Sequence, residues 1–397
     1  MDSTAALFNA HVGKHKVMMS LVRAAAAVVA LTLLVSSAVG AAAPPVGLTI
    51  ASGFTLERIG TVEQARELVV APNGDLFVGT STDAVYIVPD AQGNAAPAKV
   101  FVRISDHPVA GVTIDGERMY LGAQFGVYEL PYRDGDRAPR AQPRKIASVR
   151  PSGIARDHYT TTVAVAGKRL YAGVGSSCNN CDPDLDATRA SIQMMDLDGG
   201  GMTPKARHIR NAIALATNTS TGVLWAGVAG QDELPHGHPY EIFDSVTLHP
   251  GVADYGWPYC YENHQSVDGR DCSTQVVSRV VMPAYETPIG ATFYPLKASG
   301  AHAFPEAYRG GAFVTLHGSW HQPPVPPRVV FIAMNGDQPK TPVDWNDPTV
   351  QWKEFVGGFQ TANQQRIARP TGIAVGPDGS LFFADDEDGG IYRIRPK

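Results

Sequence analysis

Cysteine is scarce in this chain of 397 residues, which holds four, and neither sign of charge dominates, with 33 Lys and Arg against 38 Asp and Glu. So slight an acidity gives no electrostatic case for nucleic acid or for an anionic membrane as a partner. Convincing helical periodicity is missing after residue 50. There is also no Walker loop, no Rossmann glycine fingerprint following a strand and no GxSxG elbow, so the chain offers no sequence ground for a nicotinamide cofactor. Beyond the front end, no stretch is apolar for long enough to span a membrane.

What the chain does hold is turn-forming residues. Forty glycines and thirty prolines point to many tight turns and few long helices, and so to an all-β fold. The front end reads differently. Lys14, Lys16 and Arg23 precede an apolar run over 24–35, and small residues follow to Ala43. That is the layout of a secretory signal, read here as residues 1–42 with cleavage near Gly40 to Ala43. Translation could instead start at Met18 or Met19. The mature protein, 43–397, is then expected to be exported, periplasmic or secreted, with no stable membrane span left after cleavage.

An oxidising compartment favours disulfides over thiol chemistry. Cys178 and Cys181 form a CxxC in a loop, and Cys260 and Cys272 bracket another. Local pairing of each is expected, although four cysteines allow three connectivities. The βαβ context that a redox CxxC would need is absent. His236-Gly237-His238 has the look of a metal motif, but no third ligand of suitable spacing accompanies it.

One pattern recurs along the chain: an apolar strand, a Gly-containing turn and a second apolar strand. It occurs at 65–88, 107–130, 158–177 and 210–230, weakly at 308–320, and again at 368–394. A unit of short strands that cannot bury its own faces must stack on its neighbours. Six copies predict a six-bladed β-propeller with its longest insertion at about 231–305. A two-sheet sandwich would not repeat Pro-Asp/Asn-Gly-x-Leu-Phe at matching places. In a propeller the first strand of each blade lines the central channel, so the residues opening the copies surround one axial pocket. Those residues are Arg66, His107, His158, Arg210 and Arg369. A lone histidine or arginine at such a place is ordinarily a packing residue or a surface charge. Recurrence at one blade position instead suits an anionic ligand and a proton-transfer step.

Several motifs then resemble one family. HYTTT with GSSCNNC, RNAIAL followed by TGVLWAG, DYGWPYCYE, HGSW and RPTGIAVGPDGSLFFADD are similar to segments of the soluble pyrroloquinoline quinone (PQQ)-dependent glucose and sorbosone dehydrogenases. The resemblance covers nearly all of the mature chain. It implies a six-bladed propeller that binds PQQ and Ca²⁺, oxidises an aldose, a sorbosone-like aldehyde or a polyol, and passes electrons to an external quinone or cytochrome. It further implies that His158 is the catalytic base, that Arg210, Asn211 and Arg369 bind the cofactor, and that the main-chain carbonyls of Gly230 and Gln231 are metal ligands. Asp232 and Glu241 match acidic positions of the same loop and are read as organising it. A hard cation with oxygen ligands can polarise a quinone carbonyl.

The chain departs from the pattern at two places. Ala229 stands where an amide is usual, and His321-Gln322 replace Asn-Arg after HGSW. Arg328 or His321 could compensate for the missing cation. Fold alone does not fix function, so two further readings stay open: a calcium-dependent lactonase or hydrolase, and a non-catalytic propeller that binds carbohydrate or protein.

Overall fold

Alternation of apolar and polar residues between glycine turns produces a chain whose regular structure is almost entirely strand, with two single-turn 3₁₀ helices, Val246–Leu248 and Glu306–Tyr308, among the described residues. The computed structural model describes residues 47–321 and 323–397, so the signal reading of 1–42 lies outside them. None of their helices is long and apolar enough to cross a membrane.

The strands form antiparallel meanders of four. The first is Ala65–Val70, Leu76–Thr80, Ala84–Val88 and Lys99–Arg103, and the second is Val109–Asp115, Arg118–Ala123, Gly126–Pro131 and Arg144–Ser148. These two join into one eight-stranded sheet through a single pair, Thr80 with Val109. Thr161–Ala166, Arg169–Val174, Ser191–Met195 and Thr203–Arg207 make the third, and Ala212–Asn218, Val223–Val228, Glu241–Asp244 and Val280–Met282 the fourth. Pro288–Phe293, Ala312–Leu316, Arg328–Ile332 and Trp352–Gly357 make the fifth. In the sixth, Pro370–Val375, Leu381–Asp385 and Gly390–Pro396 take their outer strand from Phe54–Thr61, near the other end of the chain. A strand from early in the chain thus fastens the last meander.

Two expectations shift in register. The stretch 308–320 is not the opening of its repeat, because Ala312–Leu316 is the second strand of the fifth meander and Pro288–Phe293 the first. Nor is 231–305 one insertion. It contains two strands of the fourth meander and the opening of the fifth, and the long excursion is confined to 245–279. Both misreadings have one cause, since the first strand of the fifth meander begins Pro-Ile-Gly and lacks the apolar run that marked the others.

The first strands of successive meanders contact one another in cyclic order, the sixth returning to the first. Each of the six hydrophobic clusters lies between two neighbouring meanders; Trp225 and Phe243 of the fourth, for example, meet Phe293 and Val314 of the fifth. Faces that one sheet leaves apolar are therefore covered by the next. Trp225 is fully buried, and its replacement by alanine would cost about 3–5 kcal/mol.

Glycine lets the inner strands approach. A Cβ at Gly173 would overlap the Ala212 carbonyl, and one at Gly372 the Arg66 carbonyl. Equivalent close approaches occur at Gly79, Gly111, Gly227 and Gly290, so every neighbouring pair has one. Threonine hydroxyls tie the same seams, with Thr162 donating to the Ile213 carbonyl and Thr371 to that of Ala65.

Candidate active site

Each first strand starts at the same end of the ring, so the residues at or just before their starts form a circle: Arg66, His107, His158, Arg210, Glu286 and Arg369. The third and sixth positions of a six-member cycle are opposite. The strand entrances of His158 and Arg369 are therefore opposite in the cycle, with Arg210 next to His158 around it. His107 is exposed. The fifth member, missed because of the shifted register, is acidic: Glu286 is buried, pairs with Arg328 at 3.3 Å, and is pushed up to about 7 by burial.

His158 is held from two sides. Beneath its backbone, the buried Arg150 donates to the carbonyls of His158 (2.9 Å), Thr160 (2.7 Å) and Gln124 (2.7 Å), and to the Thr161 hydroxyl at 2.7 Å. Arg150 thereby satisfies carbonyls at the strand's start that have no ladder partner. At the ring, Nδ1 lies 3.1 Å from both the carbonyl and the hydroxyl of Ser176. A carbonyl can only accept, so Nδ1 carries the hydrogen and Nε2 keeps its lone pair. Nε2 has no hydrogen-bond partner among the described residues. Burial, then Arg210, lower the imidazole pKa to about 3. The ring is thus an unprotonated base at neutral pH, with its tautomer set.

Ser176 is placed by the stapled loop that follows it. Its hydroxyl donates to the Cys178 carbonyl at 2.6 Å, and Cys178 is bonded to Cys181. Cys260 and Cys272 form the second disulfide, so both local pairings are borne out. Gly175 brings the third and fourth meanders together at this point. A Cβ there would strike His158 on one side and the Asn211 side-chain oxygen on the other. Asn211 is largely buried, and its amide has no hydrogen-bond partner among the described residues.

Arg210 is already committed to protein groups. It donates to the Gly230 carbonyl at 2.6 Å, to the carbonyl and side chain of Asn179 at 3.2 and 3.1 Å, and to Asp232 at 3.3 Å. Asn179 returns the contact by donating to the Asp232 carbonyl, while its oxygen accepts the Asp232 N–H. Arg210 therefore clamps the disulfide loop to the 230–232 loop. Glu241, buried and raised to about 7, accepts the Gly230 N–H at 2.6 Å and steadies the same turn. One lone pair of the Gly230 carbonyl is taken by Arg210, whereas the Gln231 carbonyl has no partner among the described residues. Those residues contain no cluster of three or more His, Cys, Asp or Glu able to hold a metal. A hard cation here would rest on carbonyls and on oxygens of a bound ligand.

Across the ring the roles are reversed. His317 is engaged, its Nε2 lying 3.0 and 3.1 Å from the two oxygens of Asp386, which also pairs with Arg66 at 3.1 Å. Arg369 donates Nε to the His317 carbonyl at 3.2 Å, and its N–H is received by Asp385 at 2.7 Å. The two terminal nitrogens of its guanidinium have no partner among the described residues. Of the two side chains considered as compensating cations, Arg328 is drawn into pairs with Glu286 and Glu354. His321 stays at the site, 3.4 Å from Asp232 and stacked between Tyr285 and the exposed Trp320. The importance of Arg150, Ser176 and Asn179 had no signal in the repeat, because each acts through contacts outside its own strand.

Comparisons with known proteins agree with this architecture. A family model described as TrAA12-like matches residues 236–397. A curated protein of Borreliella burgdorferi, described as uncharacterized, is 23% identical over 369 residues, covering 87% of this chain and 90% of its own. Among solved structures, the holo form of the PQQ domain of a pyranose dehydrogenase from Coprinopsis cinerea superposes with a TM-score of 0.75 at 18% identity, over 90% of this chain and 98% of that one. The calcium structure of a Trichoderma reesei carbohydrate-active enzyme of family AA12 gives 0.73 at 19% identity, over 88% and 97%. The PQQ-bound aldose sugar dehydrogenase of Streptomyces coelicolor gives 0.57 at 16% identity, over 88% and 100%. The resemblance drawn from the motifs is thus borne out: the chain has the fold of the PQQ-domain pyranose dehydrogenase, AA12 and soluble aldose sugar dehydrogenase structures.

Proposed function

We propose that this protein is an exported, PQQ- and calcium-dependent dehydrogenase that oxidises an aldose or related sugar and hands the electrons to an external quinone or cytochrome. The six meanders in cyclic contact are read as the blades of a β-propeller, with the circle of strand entrances as its substrate face. The observation that carries the reading is the state of His158, whose ring is oriented by Ser176 while Nε2 is unprotonated and unengaged. A base of that kind, next to an unengaged amide and facing an unengaged guanidinium, fits a polar anionic ligand and a hydroxyl-bearing substrate.

The residues fit the cofactor in part. Arg369 would hold a cofactor carboxylate through its terminal nitrogens, and Asn211 would hydrogen-bond a ring oxygen. Gly230 and Gln231 would offer carbonyls to calcium. Arg210 would act by shaping the loop as much as by contact, given the four protein groups it already serves. Bound PQQ supplies a two-electron, hydride-accepting centre, and calcium a Lewis acid beside it. His158 Nε2 would take the proton from the sugar hydroxyl as the sugar is oxidised. Ser176 keeps Nδ1 protonated throughout and stabilises the imidazolium that forms.

Purified protein titrated with PQQ and calcium, followed by absorbance and calorimetry and then by dye reduction over a panel of sugars, tests this directly. Saturable binding with sugar-dependent dye reduction is expected. No cofactor binding at micromolar concentrations would overturn the reading.

A further inference from the structure

One feature of the fourth meander borders the loop of Gly230 and Gln231 without reaching His158. The excursion 245–279 folds back beside the meander and leaves a cleft with two connected parts. The outer part, of about 250 Å³, is lined by His238, Tyr261, Glu262, Asn263, Gln265 and Trp345. The inner part, of about 60 Å³, shares Tyr261, Glu262 and Trp345 and continues inward past Tyr240 and Gln275. Neither part is lined by His158, Asn211 or Arg369, and only the inner part reaches Arg210, Gly230 and Gln231 of the loop beside that site.

Its chemistry is specific. Aromatic faces dominate, with His238 and Tyr240 stacked at 5.3 Å and Tyr261 beside them at 6.5 Å from His238. Interleaved with them in the outer part are carboxylate and amide groups and no Lys or Arg, Arg210 lining the inner part alone. Glu262 is fixed by the His238 ring at 2.7 Å and the Tyr240 N–H at 2.9 Å, both on Oε1. Its Oε2 has no hydrogen-bond partner among the described residues. The side-chain oxygen of Gln275 is buried without a partner. An occupant therefore meets flat apolar faces and fixed acceptors together. A pyranose unit offers the matching pair, an axial C–H face to lie on an aromatic ring and equatorial hydroxyls to donate to acceptors. A phosphorylated or carboxylated ligand would meet Glu262 and is disfavoured. The outer part alone falls just below the roughly 300–1,000 Å³ usual for ligand sites, which suits one sugar unit rather than a larger molecule.

We infer that this cleft is a saccharide-binding site that holds one pyranose unit of an oligosaccharide, separate from the His158 site. It is framed at its mouth by Tyr261 and Trp345, with Glu262 receiving hydroxyl hydrogens. The excursion that builds it is stapled by Cys260–Cys272, which keeps Tyr261 and Glu262 in place before a ligand arrives.

The test is binding, measured without cofactor on the full chain by isothermal calorimetry and tryptophan fluorescence, with cellotetraose, maltotetraose and N-acetylchitotetraose as probes and inositol hexakisphosphate as an anionic control. At least one tetrasaccharide is expected to bind saturably. Trp345→Ala should weaken it at least tenfold, and Gln265→Ala, an exposed position that leaves the fold undisturbed, two- to fivefold. His158→Ala should leave it unchanged, which separates this site from the proposed oxidation. Binding of no tetrasaccharide would overturn the inference, as would binding indifferent to both cleft variants or tighter binding of the anionic control. Tetrasaccharide binding by a protein that reduces no dye would leave the cleft standing and remove only the dehydrogenase reading.

Discussion

The two sides of the strand-entrance circle use the same residue types in opposite ways. On the side of the third and fourth meanders, the histidine is free at Nε2 and the arginine is saturated: His158 touches only Ser176 through Nδ1, whereas Arg210 serves Asn179, Gly230 and Asp232. On the side of the sixth and first meanders, the histidine is saturated and the arginine is free. His317 is bound to both oxygens of Asp386, and Arg369 keeps its terminal nitrogens open. Residue type thus does not assign the role; the partners left unmade do. A free base on one side and a free cation on the other is the asymmetry that the proposed anionic cofactor and neutral substrate would need.

The largest effect should come from the free histidine. His158→Ala is expected to lower sugar-dependent dye reduction by about 10²–10⁴-fold, the usual range for loss of a general base, while PQQ binding stays within a few-fold. His317→Ala should instead lower the melting temperature, since it strands Asp386 beside Arg66. If the two variants lost activity equally with their folds intact, the contrast between the two histidines would break.

The arginines should behave the other way around. Arg369→Ala is expected to weaken PQQ binding about tenfold to a hundredfold, corresponding to the ~1.5–3 kcal/mol of a hydrogen bond to a charged group, with little change in melting temperature. Arg210→Ala leaves buried acceptors unpaired at Gly230 and Asn179, and a destabilisation of about 1–3 kcal/mol is expected. Paired calorimetric and thermal-melt measurements on the two variants decide the matter. Equal thermal losses would show that Arg369, too, is a brace.

This asymmetry also marks how far the sequence could be read. The strand-turn-strand repeat exposed the all-β fold and five of the strand entrances, because apolar alternation and glycine turns are local signals. The fifth entrance stayed hidden because its strand begins Pro288-Ile289-Gly290 and carries little alternation. The family resemblance singled out His158, Arg210, Asn211 and Arg369. It could not show that Arg210 is consumed by Asn179 and Asp232, since those contacts span 31 and 22 residues and depend on how the loops fold. Arg150 had no motif at all. Its role follows from a burial that only the packed second and third meanders create.

Smaller effects should separate the two disulfides. By loop length, the chain-entropy argument gives about 2 kcal/mol for the short Cys178–Cys181 loop and about 3 kcal/mol for Cys260–Cys272. Stability should therefore suffer more from Cys260→Ser with Cys272→Ser. Activity should suffer more from Cys178→Ser with Cys181→Ser, because Ser176 and Asn179 belong to that loop and set His158 and Arg210. Urea melts and dye-reduction rates on the two double variants would reveal whether stability and activity divide in this way or fall together.

The smallest effect is an expected absence. A free histidine titrates near 6.5, but burial and Arg210 lower His158 to about 3, so the proton-accepting form persists through the acidic range. Sugar-dependent dye reduction should then show no limb between pH 7 and 5 arising from this base. Stability carries the opposite signature. Between about pH 6.5 and 3 the unfolded chain binds a proton at this position and the folded chain does not, so the contribution of the neutral ring is complete above 6.5 and is lost as pH falls towards 3. His317, lowered to about 4 by burial, acts in the same direction from the other side of the circle. Acid melts of His158→Gln and His317→Gln should each lose part of that slope relative to the parent. A rate limb near pH 6.5 that disappears in His158→Gln would place the ring in water, and with it would go the distinction between a half-buried free base and a surface histidine.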